Sequence, residues 1–125
     1  MISQSIHHQN AILGAALAGT HARNDAIMNN IANVDVPGFT ARRVVFEDTL
    51  SQAVADWRNT GNLDLSRARP VTRFQETSTR FRMDGNNVDM EREMVALFNN
   101  SIMSDVLVNN ILHNSRMLGI VLQGR

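Results

Sequence analysis

The sequence has no cysteine, no lysine and no tyrosine. Without cysteine the chain cannot form disulfide bonds, zinc-thiolate sites or a cysteine nucleophile, although this absence leaves the cellular compartment open. All twelve basic residues are arginine, and they balance twelve acidic residues. A formal net charge of zero gives no reason to expect a nucleic acid or an anionic membrane held by overall charge.

Long uninterrupted hydrophobic runs are also missing, so the sequence predicts no direct membrane insertion. Residues 11–22, AILGAALAGTHA, imitate the apolar part of a secretory signal with a small-residue cleavage site. The preceding ten residues contain no lysine or arginine, whereas a secretory signal begins with a positively charged stretch. The apolar spacing continues through Ile27 and Ile31, as it would in a mature helix. We therefore expect that this segment is not a cleaved signal.

No cluster of residues in the sequence indicates an enzyme. His7 and His8 would point about 100° apart on a helix, and neither has an acidic residue or a histidine four positions on. The stretch MDGNNVDMERE, at residues 83–93, lacks the carboxylate order of an EF-hand calcium loop. Glycine-rich phosphate loops and a G-x-S-x-G motif are absent as well. The sequence predicts no catalytic residue, no metal ligand and no cofactor.

The first segment, residues 5–33, is predicted to be a long helix. A row of its residues recurs at alternating spacings of three and four, which is the pattern of a helix that packs against another helix. The row fits the core helix of a small bundle, or a packing helix in an oligomer whose polar positions set the register. We call it the N-terminal seam: Leu13, Leu17, Thr20, Asn24, Ile27 and Ile31. Nearby small residues would let another helix approach closely: Ala15, Ala16, Ala18 and Gly19.

The last segment, residues 88–122, is the second predicted long helix. Asn87 is a candidate N-cap, and Asp89, Glu91 and Glu93 stand at the positive end of the helix dipole. Apolar residues spread over more than one face of this helix. Because a hairpin of two helices cannot cover two apolar faces, we expect further chains to cover the remainder. The predicted C-terminal seam consists of Met94, Leu97, Ser101, Ser104, Val108, Ile111 and Leu118.

The middle of the chain, residues 34–87, has a different character. Residues 44–57 place apolar side chains on one helical face and predict a short third helix. Residues 58–86 are polar and weakly periodic, and we expect them to be largely irregular and flexible until they meet a partner. A pair of strands within TRFQETSTRFR, residues 72–82, is the alternative. For the arginines of this stretch, a partner-binding or salt-bridging loop is favoured over a nucleic-acid arm.

These patterns predict an all-α fold, with residues 1–125 forming one domain. Two long terminal helices would form a hairpin similar to a coiled coil. Fourteen asparagines, many of them in the helical segments, make these helices weak when isolated, because asparagine amides compete for backbone hydrogen bonds. Such helices need tertiary or quaternary partners to persist. The composition therefore favours an assembly protein.

The junction after the first helix carries a clear stop signal. Residues 29–39 read NNIANVDVPGF. Pro37 has no backbone N–H and disfavours helical geometry at Val36, while Gly38 can adopt a positive φ. Phe39 could then anchor the exit of the chain against a neighbouring helix. The motif predicts a helix end followed at once by a turn.

Two motifs, taken together, resemble the bacterial flagellar basal-body rod proteins, which belong to the rod and hook class of axial proteins. The first follows the N-terminal helix, although Val36 stands where that family usually carries threonine. Its matching residues are Asn30, Ile31, Ala32, Asn33, Pro37, Gly38 and Phe39. The second opens the C-terminal helix, and its matching residues are Asn87, Val88, Asp89 and Glu93.

Within this family, the run PGFTARRVVFEDTL and the short middle segment are most similar to the B-type proximal rod proteins. The matching residues of this run are Arg42, Phe46, Glu47, Asp48 and Leu50. The related C-type proximal rod proteins are the alternative, although they lack the F-E-D-x-L run in this form.

The resemblance implies a structural, non-enzymatic subunit of the flagellar basal body. Such subunits build the proximal rod, or drive shaft, through the periplasm by helical self-assembly of their terminal helices, and motility requires them. They are exported through the flagellar type III apparatus without a cleaved signal. The implied partners are other copies, other rod proteins, and the adaptor and inner-membrane ring at the rod base. A helical binding module, such as a flagellar secretion chaperone or adaptor, is the alternative from another class.

Overall fold

The computed structural model describes residues 1–76 and 82–124. These ranges contain three α-helices and one two-stranded sheet. In chain order they are α1 (Ile2–Ala32), β1 (Arg42–Val45), α2 (Glu47–Thr60), β2 (Val71–Phe74) and α3 (Met90–Gln123). The largely helical fold with two long terminal helices and a shorter third one is confirmed, and the small sheet is an addition to it. Within the described ranges, no helix is long and apolar enough to cross a membrane.

The two long helices, α1 and α3, form an antiparallel hairpin. Asparagine side chains link the two helices at three levels. The residue numbers on α1 decrease from one level to the next as those on α3 increase, which shows that the helices run in opposite directions. The three links join Asn30 to Glu93 (3.1 Å), Asn100 to Thr20 (2.9 Å) and Asn114 to Asn10 (3.1 Å). At about 1.5 Å of rise per residue, the 34 residues of α3 make a helix about 50 Å long.

A short antiparallel ribbon replaces the expected start of the third helix. Arg42 lies opposite Phe74, and Val45 lies opposite Val71. Residues 44 and 45 therefore belong to a strand, where β-branched side chains pack well, and α2 begins only at Glu47. Residues 58–86 were expected to be largely irregular, but α2 continues to Thr60 and residues 71–74 form β2. The alternative of a strand pair within residues 72–82 is correct only for β2, and the partner of β2 is β1. Residues 77–81 of that stretch lie outside the described residues.

The small apolar core lies where the ribbon and α2 meet α1. Ala26, Val44 and Phe46 are buried together, and Ala16, Ala22 and Leu50 pack partly against them. The ring of Phe46 lies so close to Gly19 that a Cβ on this glycine would overlap it. The small side chains of α1 were expected to admit another helix, but at Gly19 the space holds an aromatic ring.

Candidate functional site

The first motif ends α1 and turns the chain toward β1. Asn33 caps the helix, and its Nδ2 donates a hydrogen bond to the carbonyl oxygen of Asn29 at 2.7 Å. Gly38 has φ = 73°, which confirms the predicted turn, and its backbone N–H donates to the carbonyl oxygen of Asp84 at 2.9 Å. Val36 and Pro37 are exposed. We define the junction as residues 33–41 together with residues 82–89, because these two segments bind each other.

Asn30 joins three elements through one fully buried amide. Its Oδ1 accepts a hydrogen bond from the backbone N–H of Arg42 at 2.8 Å, and its Nδ2 donates to the Arg42 carbonyl oxygen at 2.9 Å. The amide thus pairs with β1 as a neighbouring strand would. Its Nδ2 also donates to Glu93 Oε2 at 3.1 Å, which connects α1 and β1 to α3.

Asn86 holds the turn from the other side and is also fully buried. Its Oδ1 accepts a hydrogen bond from the backbone N–H of Val88 at 2.8 Å. Its Nδ2 lies within hydrogen-bond distance of three carbonyl oxygens of the turn, those of Asn33 (3.0 Å), Val34 (3.0 Å) and Val36 (2.8 Å). Sequence reasoning missed this residue as a site, although it stands within the stretch MDGNNVDMERE at residues 83–93.

Asn87 has a role different from the expected N-cap of the last helix. It is buried, and its Oδ1 accepts a hydrogen bond from the backbone N–H of Ala41 at 2.6 Å. The N-cap of α3 is Asp89, whose carboxylate accepts from the backbone N–H groups of Glu91 (3.1 Å) and Arg92 (3.3 Å). The prediction of Asn87 as the cap was wrong. Its side chain binds Ala41, which is distant in sequence, and local sequence patterns do not reveal such a contact.

Glu93 is a fully buried carboxylate on the first turn of α3. Its Oε1 lies 2.7 Å from Arg43 Nη1, and its Oε2 accepts the hydrogen bond from Asn30. A buried carboxylate is costly unless a countercharge and hydrogen bonds compensate for lost water. Asn30 provides a hydrogen bond to Oε2, while Arg43 places a countercharge beside Oε1, which accepts no hydrogen bond of regular geometry within the described residues. Arg43 was not recognised from the sequence as part of the site.

A second group of motif residues lies at the start of α2. The Arg23 side chain donates to the Val44 carbonyl oxygen at 3.1 Å and forms a close ion pair with Glu47. Its guanidinium lies 4.8 Å from the centre of the buried Phe46 ring. The pKa of Glu47 is lowered from its ordinary value. Partial burial alone would raise this pKa, but the hydrogen bond and charge of Arg23, together with backbone hydrogen bonds, outweigh that effect.

The remaining motif residues lie around these two groups. Val88 is buried and Leu50 packs against the core, while Ile31 and Phe39 are half-buried. The guanidinium of Arg42 lies 5.8 Å from the centre of the Phe74 ring. Ala32 and Asp48 are exposed. The structure thus brings the two motifs, which are separated by about half the chain, into one hydrogen-bonded junction.

The N-terminal seam lies on the hairpin side of α1. Thr20 and Ile27 are buried, and Leu13, Leu17, Asn24 and Ile31 are half-buried. On α3, four residues of the predicted C-terminal seam are half-buried: Leu97, Ser104, Ile111 and Leu118. The other three, Met94, Ser101 and Val108, are exposed in the single chain, so their packing stays a prediction about contacts between chains.

A polar row on α3 replaces those three residues in the hairpin. Glu93, Asn100 and Leu107 are buried, and Asn114 is half-buried. Their spacing of seven residues is regular, one position before the predicted row. Three of the four are polar, which is why a search for apolar residues passed over them.

The side of α3 that faces away from Glu93 carries an exposed apolar row. We call it the outer face, and it consists of Val95, Phe98, Ile102 and Val106. Their exposed fractions are 60%, 67%, 48% and 49%, and spacings of three and four residues align them on one side of the helix. The second apolar surface expected from the sequence is therefore present in the folded chain.

No protein-family model matches the chain. Comparison with curated proteins does find relatives. The flagellar basal body rod protein FlgB of Bacillus subtilis (strain 168) is 31% identical over 116 residues, which cover 87% of this chain and 88% of that protein. The chain belongs to the FlgB family of flagellar basal body rod proteins. Its family is thus the one that the two motifs resemble.

Two further FlgB proteins illustrate the range of similarity within the family. FlgB of Borrelia hermsii is 31% identical over 116 residues, with 81% of this chain and 85% of the relative covered. FlgB of Yersinia enterocolitica is 37% identical over 93 residues, with 64% of this chain and 68% of the relative covered.

Proposed function

We propose that the chain is a structural subunit of the proximal flagellar rod and that it self-assembles into a helical array through its two long helices. Membership of the FlgB family supports the rod assignment. The outer face of α3 supports the assembly mechanism and is the observation that carries it. As part of the drive shaft of the flagellum, the subunit would be required for motility.

The outer face is the kind of surface that protein–protein contact normally covers. Contiguous exposed apolar patches on soluble proteins mark interaction sites. Burial of one phenylalanine side chain such as Phe98 contributes about 1.5–3 kcal/mol. Since α1 covers the opposite side of α3, the outer face is left for another chain. Contact between unlike surfaces of identical chains does not close on itself unless the rotation allows a ring, and otherwise produces an open helical array.

The junction supports this role by giving the hairpin a defined shape before it assembles. Asn30, Asn86 and Glu93 connect the end of α1 to the start of α3 through buried hydrogen bonds. Buried polar networks that are fully satisfied make a structure rigid and specific. We propose that the junction fixes the relative position of the two helices, so that the outer face of each copy is presented in the same way.

The finer assignments follow the family resemblance. We propose that the partners are other copies, other rod proteins, and the adaptor and inner-membrane ring at the rod base. Export would use the flagellar type III apparatus without a cleaved signal, and the rod would lie in the periplasm. The relatives described above are FlgB proteins, which supports the B-type over the C-type assignment and a non-enzymatic role.

The decisive experiment compares two aspartate substitutions, one on the outer face and one beside it. Phe98 and Asn99 are neighbouring exposed positions of α3, but only Phe98 belongs to the apolar row. We expect Phe98→Asp to abolish incorporation into purified basal bodies and swimming, because a charge would be buried in the contact. The matched control Asn99→Asp should retain both, and both purified variants should keep wild-type helicity by circular dichroism.

Normal swimming and incorporation of Phe98→Asp would refute the role of the outer face. A stable discrete dimer that is absent from basal bodies would instead favour the chaperone or adaptor function. Ile31→Asp should also block rod assembly and motility, but it is a less specific test. Ile31 is half-buried in the hairpin, so a charge there would disturb the fold as well as the assembly.

A further inference from the structure

The ribbon of β1 and β2 has two outer edges with different surroundings. In an antiparallel pair, residues whose backbone groups bind the partner strand alternate with residues whose backbone groups point outward. The backbone N–H of Gln75 donates to the carbonyl oxygen of Ala41 at 2.8 Å, so residues 41 and 75 form a hydrogen-bonded pair. The register extends this alternation along both strands. Residues 42 and 44 of β1 and residues 72 and 74 of β2 therefore have outward-pointing backbone groups.

Side chains of α1 bind the outer edge of β1. Asn30 exchanges two hydrogen bonds with the backbone of Arg42, at 2.8 and 2.9 Å. Arg23 donates to the carbonyl oxygen of Val44 at 3.1 Å. Both contacted residues are outward positions of β1, in agreement with the alternation. This edge of the ribbon is thus occupied within the chain itself.

The outer edge of β2 consists of the N–H and C=O groups of Thr72 and Phe74. These groups have no hydrogen-bond partner among residues 1–76 and 82–124. All four residues of β2 are exposed. Unpaired strand groups are a template on which another extended chain can pair, although short, charged edge strands are also common where no partner binds. The side chains around the edge decide between these two cases.

Positive charge surrounds this edge. Arg69 precedes β2 and Arg73 lies within it, and both are exposed. Neither forms an ion pair with the described part of the chain. The sequence from residue 65 to residue 75 contains no acidic residue. Because like charges on paired strands repel each other, a second copy of β2 is a poor partner, whereas an acidic strand is a good one.

Acidic side chains of the same chain do not fill this role. Glu47 and Asp48 line a shallow groove together with Arg73. They follow β1 directly, so β2 lies between them and its own outer edge. Glu47 is also paired with Arg23. A strand added at the outer edge would approach Arg73 from the opposite side.

The two faces of β2 define the side chains that an added strand needs. Successive side chains of a strand point to opposite faces, so Arg73 lies on one face and Phe74 on the other. Phe74 is 68% exposed, with the Arg42 guanidinium 5.8 Å from its ring centre. Neighbouring strands place matching side chains next to each other on each face. The added strand should therefore carry acidic residues on the Arg73 face and apolar residues on the Phe74 face.

We infer that the outer edge of β2 binds an extended segment of another protein in which acidic and apolar residues alternate, and that this segment adds a third strand to the ribbon. Main-chain hydrogen bonds to Thr72 and Phe74 hold the added strand, and Arg73 selects acidic side chains through charge-assisted hydrogen bonds. The inference goes beyond the proposed rod function, because the outer face of α3 takes no part in it.

A synthetic peptide tests this edge with the purified full chain. The probe is a capped peptide of about eight residues in which valine and glutamate alternate, a usual length for a strand. We expect saturable binding by isothermal titration calorimetry and slower hydrogen exchange of the Thr72 and Phe74 amides. The Arg73 amide is the internal control, because it points toward β1 and should change much less. The same peptide with lysine in place of glutamate should not bind.

Substitutions in β2 separate the main-chain contact from the charge. Thr72→Pro removes an outward N–H, and proline is tolerated at such edge positions because the ladder to the partner strand keeps its donors. It should weaken peptide binding about tenfold. The matched control Thr72→Ala keeps the N–H and should bind like the wild type. Arg73→Gln should reduce the preference for the glutamate peptide over the lysine peptide. All three variants should keep wild-type helicity by circular dichroism.

The outcomes separate this inference from the proposed function. No binding to the wild-type chain, equal binding by Thr72→Pro and Thr72→Ala, or equal binding of the two peptides would each refute the added strand. Binding of phosphatidylglycerol vesicles without binding of the peptide would assign the arginines to an anionic lipid surface and refute it as well. The proposed function would stand in each case, since it depends on Phe98 and on incorporation into basal bodies. Failure of that incorporation would leave the peptide result unchanged.

Discussion

Replacement of Asn86 by alanine should loosen the junction by an amount that the hydrogen bonds allow us to work out. The three turn carbonyl oxygens that contact Asn86 Nδ2 would each keep another hydrogen-bond donor in the variant. The carbonyl oxygens of Asn33 and Val36 accept from the backbone N–H groups of Val36 and Phe39, respectively. The carbonyl oxygen of Val34 accepts from Arg82 Nη1. The backbone N–H of Val88 has no second acceptor among the described residues, and Val88 is buried. The main loss is therefore one buried amide left without a partner.

The expected cost of Asn86→Ala is about 2–4 kcal/mol. An unsatisfied buried amide costs about 1–3 kcal/mol, and the lost amide donors add about 1 kcal/mol. Asn86→Asp should cost more, although it keeps the oxygen that Val88 needs. Its second oxygen would face three carbonyl oxygens in a fully buried position. Asn109→Ala is the control, because Asn109 is an exposed residue of α3 and alanine is the better helix former.

Amide hydrogen exchange of Val88 is the direct assay, supported by urea denaturation. Since about 1.4 kcal/mol corresponds to a factor of ten, the protection of the Val88 amide should fall about 30- to 700-fold in Asn86→Ala. Asn109→Ala should leave it unchanged or slightly raised. Unchanged Val88 protection in Asn86→Ala would refute the reasoning, and so would Asn86→Asp with wild-type stability.

Two further comparisons test packing and charge in the same region by urea denaturation at pH 7. Gly19→Ala should lower the free energy of unfolding by about 1–3 kcal/mol, because the new Cβ overlaps the buried Phe46 ring. Gly14→Ala is the control on the same helix, because the added Cβ has open space around it, and it should raise the free energy of unfolding by about 0.5–1 kcal/mol. Equal effects of the two variants would contradict the close approach of Phe46 to Gly19. Arg43→Met should cost about 3–5 kcal/mol, because it leaves the buried Glu93 carboxylate without its countercharge. Glu93→Gln should lower the free energy of unfolding by less than Arg43→Met, because the arginine left unpaired is partly exposed and water can solvate it. A larger loss for Glu93→Gln than for Arg43→Met would refute the role of the ion pair.

Local sequence patterns predicted the helices and the stop between them. The spacing of Leu13, Leu17 and Ile27 is set by 3.6 residues per turn, which depends only on neighbours along the chain. The turn at Gly38 was predictable for the same reason, since a glycine after a proline allows a positive φ without other contacts. The expectation that α3 has more apolar surface than one hairpin can cover also came from spacing alone.

Contacts between distant residues decided what local patterns missed. Residues 44 and 45 form a strand because residues 71 and 72 pair with them, so α2 starts later than its apolar period indicated. Asn87 could not be assigned correctly because its partner, Ala41, is 46 positions away. The row of α3 that contains Glu93 and Asn100 went unrecognised. Polar residues are buried only where the fold supplies hydrogen-bond partners, and the partners of these two residues lie on another helix.

The sequence by itself determined the family, the two long helices, the turn between them and the presence of a second apolar surface. Each of these is recorded in local spacing or in short motifs. Only the tertiary structure decided which asparagines are buried, which row of α3 enters the hairpin and which side chains bind the outer edge of β1. The physical reason is that an amide can cap a helix, bridge two strands or contact solvent with similar local energy. Its choice among these depends on the donor or acceptor that the rest of the fold brings to it.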